Sequence, residues 1–146
     1  MKKKYIIGGC IGLVLVFVIA IIACIVINKN KKLEVPFVPT VAKIISIDEN
    51  GNVNEDDKKI KLENDNKTKI DEYAKQIEST AQNERYSMII LSDYIVHIDN
   101  NRSLKFKSNI KEYVELIDET KEGKDRSIVT KAPDGFVDWV MEVVNE

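Results

Sequence analysis

Between Tyr5 and Ile27 the chain runs for 23 residues without a charged side chain. At about 1.5 Å per residue, a helix of that length spans about 35 Å, more than the roughly 30 Å hydrocarbon core of a bilayer. A secretory signal has a shorter apolar stretch of about 7 to 15 residues. The run therefore predicts a retained, single-pass signal-anchor, with membrane lipid as its first partner. This divides the chain into a basic leader at 1–4, a transmembrane helix at 5–27, a linker at 28–40 and a soluble domain at 41–146.

Three details modify that picture. Ile21-Ile22-Ala23-Cys24 resembles the bacterial lipoprotein signal, in which such a Cys is acylated and becomes the mature terminus. This makes Cys24 a candidate lipidation site and gives an alternative reading as a ligand-binding or inhibitor lipoprotein. Ile25, Val26 and Ile27 continue the apolar run beyond it, which favours the retained helix. Gly8 and Gly12 stand in a G-x-x-x-G spacing that lets two helix backbones approach closely, a candidate membrane dimer face. Lys2, Lys3 and Lys4 before the segment nearly balance Lys29, Lys31 and Lys32 after it. The short leader tips the orientation toward an extracytoplasmic domain.

Net charge is unevenly placed. The chain carries −2 overall, but six of its 22 basic residues and none of its acids precede Leu33, so the remainder holds 16 basic against 24 acidic residues, a net of −8. Such a domain repels a phosphate backbone, so no nucleic acid partner is expected. Both cysteines, Cys10 and Cys24, lie in the apolar segment, which leaves no thiol or disulfide chemistry for the soluble part.

Along the soluble part, Pro36 and Pro39 exclude a regular helix from the linker, and Val41 to Asp48 reads as a strand leading to an Asn50-Gly51 turn. The return strand is obscure, with Ile60-Lys61-Leu62 the one extended stretch. Ile70, Tyr73, Ala74, Ile77 and Ala81 fall on one helical stripe. Met88 to Leu91 is a continuous apolar run, expected as a central strand covered on both faces. Tyr94, Val96 and Ile98, then Leu104 and Phe106, alternate about an Asn100-Asn101 turn as a hairpin. Ile110, Tyr113, Val114 and Ile117 have helical spacing between a cap at Ser108 or Asn109 and a stop at Gly123. Ser127 to Thr130 reads as a strand and Phe136 to Val144 as a final helix. The fold class expected is α+β, a small mixed sheet with two to three packed helices.

In outline, an amino-terminal helix, Ile44-Ile45-Ser46-Ile47-Asp48, Asn50-Gly51 and then alternating helices and strands is similar to the biopolymer-transport proteins that partner proton-driven membrane motors. Their membrane helix carries an acidic residue for proton passage, and Tyr5 to Ile27 has none. The resemblance implies an accessory role at most and carries over no residue.

Chemistry-bearing groups are sparse. His97 shares a strand face with Asp93 and Asp99, but this lone His lacks a third firm ligand, and no metal or cofactor is expected. Counted as a calcium loop from Asp48, the sixth position is Val53, where the turn requires Gly. No Gly-x-Ser-x-Gly turn surrounds any serine. No catalytic residue is assigned. The final helix is apolar around most of its girth, so Phe136, Trp139, Val140, Met141 and Val143 face either the domain's own sheet or a partner, as a candidate interface for a protein or a second copy. The function expected is that of a non-enzymatic, membrane-anchored interaction domain.

The intact chain is expected in the membrane pellet, resisting high salt and released by detergent. Recovery of unacylated, full-length polypeptide in a detergent-free high-speed supernatant would overturn the anchor.

Overall fold

The computed structural model describes residues 36–146, and Tyr5 to Ile27, with Gly8, Gly12 and Cys24, lies outside them. No helix among the described residues is long and apolar enough to cross a membrane. Phe37–Glu146 forms one compact unit. Its strands are β1 (Thr40–Ile47), β2 (Val53–Glu55), β3 (Ile60–Lys61), β4 (Tyr94–His97), β5 (Arg102–Lys107), β6 (Ile110–Asp118) and β7 (Ser127–Lys131). Helix α1 (Asp65–Asn83) lies between β3 and β4, and α2 (Phe136–Asn145) ends the chain.

The strands form one sheet in the order β2-β1-β4-β5-β6-β7, with β3 also paired to β1. Each of these pairings is antiparallel, so the α+β class holds while the expected mixed sheet is replaced by an antiparallel one. The compact unit begins before the expected Val41: Pro39 is buried, and its carbonyl accepts a hydrogen bond from the Leu62 amide at 2.8 Å.

The two sheet faces differ because side chains alternate along each strand. On one face Val41, Val96, Leu104, Phe106, Val114 and Leu116 meet Ile70, Ala74, Ile77 and Ala81 of α1, with Phe136, Val137, Trp139, Val140 and Val143 of α2. The Tyr73 ring lies 5.4 Å from Phe136 and 5.5 Å from Trp139, which joins the two helices. The turn into α2 needs Gly135, whose φ of 76° is left-handed, a conformation that L side chains rarely adopt. The candidate interface on α2 is thus taken up by the domain's own core. Phe136, Trp139, Val140 and Val143 are buried and Met141 is half-buried against the cluster, since the wide apolar girth is matched by both sheet and α1.

Two expected elements change. The segment from Ile110 to Asp118 is strand β6, not a helix. Tyr113 and Ile117 fall on one sheet face and Val114 and Leu116 on the other, so a strand holding apolar side chains on both faces mimics helical spacing. Met88 to Leu91 is no strand at all. Tyr86 bridges Val129 on the β7 edge, and the chain then passes over the helix-free face to reach β4, with Ile90 alone among the four buried.

Thr130 is fully buried on β7, and its Oγ1 has no hydrogen-bond partner among the described residues. An unsatisfied buried hydroxyl costs about 1 to 3 kcal/mol. Thr130→Val is expected to raise the unfolding free energy by about 1 kcal/mol in denaturant titration. A loss of stability would show that the hydroxyl has a partner.

Candidate functional site

The face without helices carries the polar chemistry. At one margin β1 and β2 curl over it, closing a small apolar cluster of Ala42, Ile44 and Ile95 with Val53 packed against it. A bulge between Ile44 and Ser46 supplies the bend. At the other margin the Tyr86 to Ile90 segment lies above Glu115, Ser127 and Val129. Between them is an open groove of about 380 Å³, floored by Ile95, His97, Ser103, Lys105 and Ile117 and walled by Asn52, Glu55, Asn101, Glu119 and Arg126.

The Asp93-His97-Asp99 row is drawn apart by separate partners. Asp93 accepts hydrogen bonds from the Ser108 amide at 2.7 Å and from Ser108 Oγ at 2.6 Å. Asp99 Oδ1 caps the hairpin turn through the Asn101 and Arg102 amides, both at 2.8 Å, while its Oδ2 takes Arg102 Nε at 2.7 Å. Arg102 also pairs with Glu78 on α1, tying the hairpin to that helix. His97 Nε2 lies 2.8 Å from Glu55 Oε1. No group of three potential metal ligands comes together among the described residues. Asp48, the first residue of the loop tested for calcium, is engaged with the Asn50 and Asn52 amides and Asn52 Nδ2, all at 2.8 Å.

Glu55 is the charged link between the curled hairpin and the sheet. Burial would raise its carboxyl, but the ion pair with Lys59 Nζ at 2.8 Å and the attraction of His97 outweigh this and hold it below the ordinary value of 4.5. Arg102 is likewise desolvated, yet Asp99 and Glu78 raise its guanidinium above the usual value.

Lys105 was not singled out from sequence, where it is one of many lysines. It is only 9% exposed and makes no hydrogen bond or ion pair among the described residues. Its only signal in the sequence is its place between Leu104 and Phe106, in a strand whose opposite face is apolar.

Comparison of the chain with protein-family models, with curated proteins and with solved structures finds no match in any of the three. The outline likeness to biopolymer-transport proteins counted a helix at Ile110 to Ile117 among its elements, and this segment is a strand.

A carboxyl lowered by folding contributes stability that is complete above its unfolded value and disappears as pH falls through the folded one. Glu55→Gln is expected to cost about 1 kcal/mol at neutral pH. Its difference from the unsubstituted chain should shrink as pH falls below about 4.5. A difference independent of pH from neutrality to pH about 2 would show that the Glu55 charge plays no part.

Proposed function

We propose that this is a single-pass, membrane-anchored protein whose extracytoplasmic α+β domain binds another protein without catalysing a reaction. The observation that carries the reading is the segment between α1 and β4. Ile89 is 90% exposed, Leu91 72% and Met88 42%, three large apolar side chains in four residues facing water. Concentrated apolar exposure of this kind marks a contact surface. Ile45 and Ile47 are also exposed, on the half of β1 whose Ile44 amide donates to the Asp93 carbonyl at the end of the same segment.

Charge selects among occupants. The part of the chain from Leu33 onward carries −8. That repels an anionic lipid surface and a second copy alike. A different protein, apolar at the contact and basic around it, fits best. The absence of an enzymatic role is supported by the Asp93-His97-Asp99 row, in which every titratable group is engaged with another side chain or a turn.

A photo-crosslinking residue at Ile89 of the full-length chain, irradiated in native membranes, is expected to yield an adduct with a second protein, whereas one at exposed Lys75 yields none. Leu91→Asp should abolish the adduct from position 89 and change stability by no more than about 0.5 kcal/mol, because the side chain is already in water. Adducts restricted to lipid or to a second copy would refute the proposed partner.

A further inference from the structure

We propose that Ser87 to Leu91 is an open main-chain template, to which an extended segment of the partner, apolar at alternate positions and flanked by lysine or arginine, adds as a β-strand. The inference rests on the contact surface at Ile89 and specifies what occupies it.

The main-chain N–H groups of Ser87, Met88, Ile89, Ile90 and Leu91 find no acceptor among the described residues. Groups left unpaired by protein are paired by water, and a row of them is what a second strand adds to. Both ends of the row are fixed. The Tyr86 amide donates to the Val129 carbonyl at 2.9 Å, while the Asp93 amide donates to the Phe106 carbonyl at 3.0 Å and the Asp93 carbonyl accepts from the Ile44 amide at 2.9 Å. Between these anchors exposure alternates as it does along a strand, with Ile89 and Leu91 outward, Met88 less exposed and Ile90 buried. A main chain held in this way loses little further freedom when it pairs.

Edges open to water are ordinarily protected by charged side chains, Pro or bulges. Ser87-Met88-Ile89-Ile90-Leu91-Ser92 has neither a charge nor a Pro. The charges just before it are neutralised, Glu84 by Lys131 at 3.5 Å and Arg85 by Asp125 at 2.5 Å. An incoming strand therefore gains main-chain hydrogen bonds along the row and apolar contact with Ile89 and Leu91. Charge decides whose strand it is. The chain from Leu33 onward carries −8, so a second copy brings a like-charged domain with it, whereas a segment ending in lysine or arginine is attracted.

The probe is a capped peptide of alternating valine and threonine with a lysine at each end, added to the full-length chain in non-ionic detergent while amide hydrogen exchange is followed residue by residue. In the free chain Ser87 to Leu91 are expected to exchange at nearly unprotected rates, and the peptide should slow alternate amides among them by about tenfold. N-methyl groups on alternate peptide amides should abolish the effect when they lie on one edge of the peptide and leave it intact when they lie on the other. Replacing both lysines by glutamate should weaken it several-fold. No slowing, slowing that survives N-methylation of both edges, or an equal effect of the glutamate peptide overturns the proposal. Protection of these amides without a protein adduct at position 89 would uphold the template and refute the partner reading; an adduct without protection does the reverse.

Discussion

Asp93 is the junction on which the sheet depends. Its amide donates to the Phe106 carbonyl at 3.0 Å and its carbonyl accepts from the Ile44 amide at 2.9 Å. Its carboxylate holds both the amide and the hydroxyl of Ser108 in the β5–β6 turn. One residue thereby sets β4 against β1 and β5 and fixes where the chain turns into β6. Since strand side chains alternate, a slip of one residue in β5 would bring Lys105 into the helix-packed core and turn Leu104 and Phe106 toward water. The cost of burying a lysine there makes the register sharply defined.

What could be read from the sequence was what is encoded locally. The α1 stripe of Ile70, Ala74, Ile77 and Ala81, the hairpin around Asn100-Asn101 and the apolar final helix each repeat with one period, and each forms as expected. β6 was illegible because its apolar residues serve two faces, so its spacing imitates a helix. The contact between Asp93 and Ser108, 15 residues apart, replaces the helix cap that Ser108 suggests. The Met88 to Leu91 run was misread for the opposite reason. It has the composition of a central strand, but the geometry of returning from the β7 edge to β4 leaves its backbone outside the sheet. Of the groove, His97 was visible as the chain's one histidine, whereas its partner Glu55 lies 42 residues away on a strand too short to announce itself.

The arrangement of charge follows from the same topology. Antiparallel neighbours bring distant residues together, and most acids on the groove side find a cation: Glu55 with Lys59 and His97, Asp99 with Arg102, Glu119 with Arg126. Several of these pairs are well exposed and contribute little individually. Lys105 makes no ion pair among the described residues, but its cross-strand neighbour Glu115, which accepts from Ser127 Oγ, keeps a negative charge beside it.

The helices assign the faces their roles. Both pack on one side, where aromatic and aliphatic side chains fill the core, so stability is concentrated there. Among the described residues the opposite side is covered by a three-residue strand and by the Tyr86 to Leu91 segment, in which Met88, Ile89 and Leu91 are exposed. β1 is bonded on both flanks, to β4 on one side and to β2 and β3 on the other. A pull transmitted through Pro36 to β1 is therefore resisted by the interior of the sheet rather than by a peeling edge. On the reading proposed above, a domain tethered through such a strand would hold its partner on the helix-free face while the load passes through a strand paired on both flanks.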